Sequence, residues 1–308
     1  MNPKNNAAKF AFFYLLSLVA LIFMALSSGM VIFQVINKFI TDIIDAGTYS
    51  DSALKFAISA IIVSMPIYYF TMRQIHKNLF SGDLNEESEI RKWLTYLILL
   101  IAAVVMIGWF IATINSFFNG ELTTKFILKA ITAIGIAAAI FGFYFYDIKR
   151  ENIVGKKDNI IRIYFYASLA AVIAVFITAI FVVESPTETR NRRQDEAVLS
   201  NFSQIDSAIN SYYVEQNVLP ENLSVLADEY PYITGDTLKN PATDEMFNYN
   251  IKATSTYELC ANFLTSNKEA DSRDFFPSKD LWPHDAGYQC LEQKVRQDLI
   301  NGIKPVIR

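Results

Sequence analysis

Apolar residues dominate the chain as far as Ser185 and then thin out, and the two parts follow different rhythms. In the first part, residues 10–33, 53–72, 93–114, 126–146 and 163–183 form apolar runs without a polar stripe. A helix needs roughly 20 apolar residues to cross a hydrocarbon core, and one that is apolar on every side is built for a membrane or a very large core. These runs predict five transmembrane helices, with Pro66 as an internal interruption of the second. Beyond Ser185, the residues Leu199, Phe202, Ile205, Ile209 and Tyr212 return at steps of three and four, which predicts a helix with one apolar face. Ser185, Pro186 and Glu188 stand at its start as N-cap, first helical residue and capping-box acid. Residues 247–253 and 256–263 then read as a hairpin around Thr254-Ser255, with Tyr257, Leu259, Ala261 and Phe263 alternating onto one face. A turn-rich stretch holding Pro220, Pro231, Gly235 and Pro241 joins helix to hairpin.

The fold class that follows is a mainly α polytopic membrane protein carrying a small α+β domain, a long helix on an antiparallel sheet. The domain limits are 1–150 for four transmembrane helices, 151–185 for a loop and the fifth helix, 186–292 for the α+β domain and 293–308 for a tail. Composition agrees: of 308 residues 52% are hydrophobic and 19% charged, below the roughly 25% charged of an ordinary soluble domain. A net charge of −4 disfavours a nucleic-acid partner, since such proteins carry a basic stripe.

Lysines and arginines set the orientation, because short basic loops stay on the cytoplasmic side. Lys4 and Lys9 precede the first run, while Arg73, Lys77, Arg91 and Lys92 occupy the second connection. Lys149, Arg150, Lys156, Lys157 and Arg162 occupy the fourth. The first and third connections hold only Lys38, Lys55, Lys125 and Lys129, some at helix edges where they can snorkel. The amino terminus is expected on the cytoplasmic side of the membrane, and the α+β domain on the other side. A cleaved signal peptide ending near Ala25-Leu26-Ser27 is the rival reading of the first run, but the apolar stretch continues to Phe33 and is read as a retained helix.

Residues 9–42 (KFAFFYLLSLVALIFMALSSGMVIFQVINKFITD), 88–97 (SEIRKWLTYL), 120–129 (GELTTKFILK) and the Phe143-Tyr144-Phe145-Tyr146-Asp147 run resemble a bacterial membrane family known as domain of unknown function 5671. That resemblance covers about the first 150 residues and implies a four-helix membrane unit with no established activity. Further on, Tyr212-Tyr213, Leu219-Pro220-Glu221-Asn222-Leu223, Asn240-Pro241-Ala242-Thr243 and Tyr257-Glu258-Leu259-Cys260-Ala261 resemble the globular domain of type II pseudopilins and type IV pilins. The leader and the early glutamate of that family have no counterpart before Ile163, so processing by a prepilin peptidase is not expected.

Candidate chemistry is sparse. Cys260 and Cys290 are too few for a thiolate zinc site, and in an exported domain they are expected to form a disulfide. Trp282, His284 and Gly287 make a short motif suited to packing or partner contact, and His76 falls on the other side of the membrane. Asp236, Asp244 and Glu245 are oxygen ligands that could approach one another around a turn, yet solvated turn carboxylates are the commoner arrangement, and no metal or cofactor is expected. The predicted spans hold few ionisable groups, with Lys55 and Lys129 near outer ends and Asp147 at an interface. That disfavours transport, which places such groups near the midplane. The leading expectation is a non-enzymatic membrane anchor that displays a pilin-like domain to pilus or secretion subunits, with the lipid bilayer as its solvent and a homo-oligomer open to it. Two alternatives stand beside it: a channel or transporter for a small or lipophilic solute with the outer domain as lid, and a membrane ligand sensor.

Overall fold

A computed structural model describes residues 4–40, 48–82, 84, 88–150, 154–156, 158–268 and 282–296. The tail beyond Arg296, residues 85–87 of the second connection, and Lys157 of the fourth lie outside the described residues. Contacts divide the chain into two units, Met1–Val183 and Glu184–Arg308.

The first unit contains α1 (Lys4–Phe39), α2 (Asp51–Ser81), α3 (Glu89–Phe118), α4 (Thr124–Ile148) and α5 (Asn159–Val182). All five predicted runs are helical, and each helix except α5 overruns its apolar run at both ends. The run marks only the stretch that lipid would demand, while polar caps extend the helix further. The Ser50, Thr123 and Asp158 side chains accept from the backbone amides opening α2, α4 and α5, supplying partners for donors that a helix start leaves over. At the other end of α2, Gly82 takes a φ of 79°, which a side chain would resist, and donates to the Leu79 carbonyl. Pro66 sits inside α2 without ending it.

In this unit α1 packs along α2 and α3 along α4, while α5 lies against α1, α2 and α4. Small residues lie inside the bundle: Ala57, Ala102, Ala130, Ala137 and Ala179 are all buried, which suits close helix packing. In α4 only Ala137 of its alanine run is buried, while Gly135, Ala138 and Ala139 are exposed. A run of adjacent alanines points around the whole helix, so it cannot all meet one neighbour.

The second unit opens with α6 (Pro186–Gln216), capped by the Ser185 hydroxyl accepting from Glu188 N at 3.1 Å. It continues through a short helix α7 (Ser224–Glu229) to strands β1 (Asn248–Ala253), β2 (Thr256–Phe263) and β3 (Gly287–Lys294). The strands form one antiparallel sheet in the order β1-β2-β3. Leu199, Phe202, Ile205 and Ile209 of α6 join Tyr257, Leu259, Ala261 and Phe263 of β2 in a single core, as their periods predict.

Two features depart from the sequence reading. The turn-rich stretch contains α7, which drives Leu223 and Leu226 into the core and receives an Asn222 cap at Val225 N, 3.3 Å. β3 crosses the limit drawn at 292/293, because Val295 is buried in the same core and Arg296 N donates to Asn210 Oδ1 at 2.8 Å. β3 alternates between exposed and half-buried positions with Leu291 alone fully buried, but its sequence GYQCLEQK sets few apolar residues on the inner face, so the pattern does not announce a strand.

Candidate functional site

One end of the helical unit is held by a charged clasp. Arg91, in the first turn of α3, donates to the Asp147 carbonyl at 2.7 Å and to its carboxylate at 3.1 Å. Arg150 pairs with the same carboxylate and reaches Asp158 at 3.7 Å, and Tyr146 donates to Asp158 at 3.1 Å. Because Asp158 also caps α5, the clasp ties the start of α3, the end of α4 and the start of α5 together. Two arginines meet two aspartates, so the group is neutral as a whole. The Arg91 and Asp147 side chains are only 4% and 9% exposed, which makes each charge dependent on the other. Sequence reading left Arg91 in a basic loop and Asp147 at an interface, and nothing local in the chain signals their pairing.

The opposite end corrects a second expectation. Lys125 and Lys129 are buried at 2% and 8% exposure rather than extended outward from helix edges. Lys38 donates to the Val182 carbonyl at 2.9 Å, linking α1 to α5, and Lys55 pairs with Asp51 within α2. The Gln34 side chain accepts from Ser50 N at 2.8 Å.

Between these ends lie cavities. One, of about 260 Å³, is bounded by α1, α2, α4 and α5, open on one side, and lined by Tyr68, Tyr69, Phe143, Tyr144, Tyr164 and Phe165. Its few polar residues include Ser28, His76 and Ser168. Ser168 is engaged, accepting from Tyr69 Oη at 3.0 Å and donating to Phe165 O at 3.1 Å. The Ser28 hydroxyl and His76 Nε2 are buried without a hydrogen-bond partner. A larger cavity of about 670 Å³ lies between α1, α3 and α4, with Ala53 of α2 also in its wall, and is lined mainly by aliphatic side chains together with Phe33 and Trp109.

In the second unit, Cys260 and Cys290 are register partners on β2 and β3 and form a disulfide, the pairing expected from the sequence. Trp282 is fully buried against Phe202, with Nε1 donating to Ser203 Oγ at 3.1 Å. His284 is 1% exposed, stacks on Phe263 at 3.9 Å, and places Nδ1 3.0 Å from the Trp282 carbonyl. Gly287 takes a φ of 101° where β3 begins. Trp282 and His284 therefore fill the core beneath the sheet, and Gly287 makes the turn into it.

Polar side chains brace the same unit. Asp195 of α6 accepts from Leu264 N at 2.8 Å, Thr265 N at 2.7 Å and Thr265 Oγ1 at 2.6 Å. Asp206, buried in α6, accepts from the Tyr257 phenol and from Arg296 at 2.9 Å. Burial, reinforced by that carboxylate, pushes the Tyr257 phenol well above the ordinary tyrosine range. Burial alone pushes Tyr249 up to about 12. A hydrogen bond from Lys252 at 3.0 Å holds Glu258 below the usual glutamate range, and Lys268 does the same for Asp285.

Asp244 instead pairs with Lys239 at 3.1 Å, and Thr243 approaches Glu245 at 3.4 Å. Among the described residues the one cluster of three metal-type ligands is Glu258, Cys260 and Cys290, whose sulfurs are committed to the disulfide. Asp236, Asp244 and Glu245 form no such cluster.

Among the described residues there are thus five helices long and apolar enough to cross a membrane, together with an α+β unit closed by a disulfide. Residues 11–144 match the family model described as "Domain of unknown function (DUF5671)", which spans α1 to α4 and leaves α5 and the second unit outside. No curated protein and no solved structure matches the chain.

Proposed function

We propose that this chain is a non-enzymatic, multi-pass protein of a bacterial inner membrane that presents its disulfide-closed unit outside the cytoplasm for association with other proteins. The observation that carries the reading is a contrast in what is buried. Large apolar side chains stand exposed in the middle of every helix of the first unit, Phe23, Val63, Val104, Ile131 and Ile173 among them. In the second unit Phe202, Tyr257 and Trp282 are fully buried and exposed apolar side chains, Tyr232, Met246 and Tyr288 among them, are few. Apolar exposure on that scale is rare on a protein surrounded by water.

The distribution of lysine and arginine supports an inward amino terminus, and the Cys260–Cys290 bond supports an oxidising compartment for the second unit. The pilin-like reading draws on α6 packed against a three-stranded antiparallel sheet, together with the motifs around Tyr212 and Asn240. It makes pilin or secretion subunits the partner class. Tyr232, Met246 and Tyr288 offer exposed apolar surface for the contact.

The test is crosslinking of the full chain in its native membranes, with a Met246→Lys, Tyr288→Lys variant beside it. Pilin-type or secretion subunits captured by the parent and lost from the variant support the reading. Purified protein that turns over a substrate in lipid without partners ends it.

A further inference from the structure

We propose that the cavity between α1, α2, α4 and α5 binds an uncharged lipophile with a planar ring and a hydrogen-bonding oxygen, the chemistry of a quinone or a hydrophobic phenol. The size fits: a cavity of about 150 Å³ admits benzene, and this one measures about 260 Å³, room for a substituted ring. The wall fits as well, because six aromatic side chains line the space, and ring faces and edges favour another flat ring.

Two polar atoms supply the specificity. Ser28 is 7% exposed, lines the cavity, and has no partner for its hydroxyl. A helical hydroxyl can always turn to the carbonyl one turn back, as Thr71, Thr113 and Thr132 do at 2.8, 2.7 and 2.8 Å. Ser28 does not take that option. His76 Nε2, in the same wall, is likewise buried and unpartnered. Such groups cost stability unless something pairs with them. Both atoms are closed to a water-sized contact, so a turn of either side chain toward the cavity would let one ligand oxygen satisfy it. The larger cavity lacks this feature, since its Gln34 side chain is already bonded to Ser50 N.

The occupant is uncharged because the lining offers no side-chain ion beyond the imidazole of His76. Its tail has a way out, since Ala139, Tyr164, Ser168 and Ala171 are themselves exposed and open the cavity between α4 and α5. This inference rests on the membrane reading of the helical unit. Carbonate extraction tests that reading separately: release of the chain ends both, and retention leaves the ligand question standing on its own.

Decylubiquinone, titrated into detergent-purified full-length protein, is counted by native mass spectrometry, with dodecane and phosphatidylethanolamine as comparison ligands. The expected result is one saturable quinone per chain, displaced by neither comparison ligand. Ser28→Ala with His76→Phe should weaken binding about tenfold, the effect of losing hydrogen bonds worth that factor. Ala139→Phe, which fills the mouth, should abolish it. Thermal melting of each variant checks its fold, and Ser28→Ala alone, which removes a single oxygen, serves if the double variant does not melt cooperatively. Absence of stoichiometric quinone, affinity unchanged in folded variants, or preferential occupancy by phosphatidylethanolamine or dodecane would overturn the proposal.

Discussion

The helical unit and the α+β unit solve the same problem, burying polar groups safely, with opposite materials. In the helical unit the clasp of Arg91, Asp147, Arg150 and Asp158 balances full charges across three helix ends. In the second unit, Asp195 is answered by two backbone amides and a hydroxyl. Asp206 is answered mainly by a phenol and by Arg296, which is itself half exposed. The covalent bond Cys260–Cys290 adds what a small core lacks. At the helix ends of the first unit arginines answer the carboxylates, with Asp158 taking backbone amides of α5 as well. Where loops and strand ends have amides to spare, a lone carboxylate can organise them.

That difference predicts where each unit is fragile. The largest effect should come from Asp147→Leu, which strands Arg91 among buried surroundings. Breaking a buried pair from one side costs about 3–5 kcal/mol, so thermal unfolding in detergent should move sharply downward. Adding Arg91→Met should recover most of that loss. A double variant no better than the single one would mean that the clasp matters for more than charge balance.

Next in size is Cys260→Ser with Cys290→Ser. The bond closes a loop with a sequence separation of 30, for which chain entropy assigns about 3–4 kcal/mol. Urea unfolding followed by Trp282 fluorescence, in a chain with Trp93→Phe and Trp109→Phe, should show the loss. The melting of the helical unit should stay unchanged, and a common shift in both would deny that the units unfold separately.

The smallest effect is alkaline. Tyr249 and Tyr257 hold their protons to higher pH when folded than when unfolded. Their contribution is therefore complete below about pH 10, the ordinary tyrosine value. It drains away as the pH climbs toward about 12, the folded value of Tyr249. Tyr249→Phe should flatten that decline in the urea midpoint. An equally steep decline would assign the sensitivity to other groups.

Much of this architecture is legible in the chain because it is written in local periods. Five unbroken apolar runs, the three-and-four spacing from Leu199 to Tyr212, and the alternation from Tyr257 to Phe263 each need only neighbouring residues to be read. The polar brackets are not local. Arg91 and Asp147 stand 56 residues apart, and Asp195 stands 69 residues from Leu264. No pattern in either segment names the other. The same holds for β3, whose place at the sheet edge is set by pairing with β2 and by Val295 finding the core. Ser28 and His76 look unremarkable in sequence, since only the packing of four helices turns them toward one space.

The disulfide has a mechanical corollary. Cys260 and Cys290 face each other at the same rung of adjacent strands. Tension entering the chain beyond β3 would pass from Cys290 through the sulfur bridge to Cys260 and on toward α6. The intervening residues, including buried Trp282 and His284, lie off that load path. A pull from that side would stretch what lies outside the bridge and leave the packing between its two sulfurs slack.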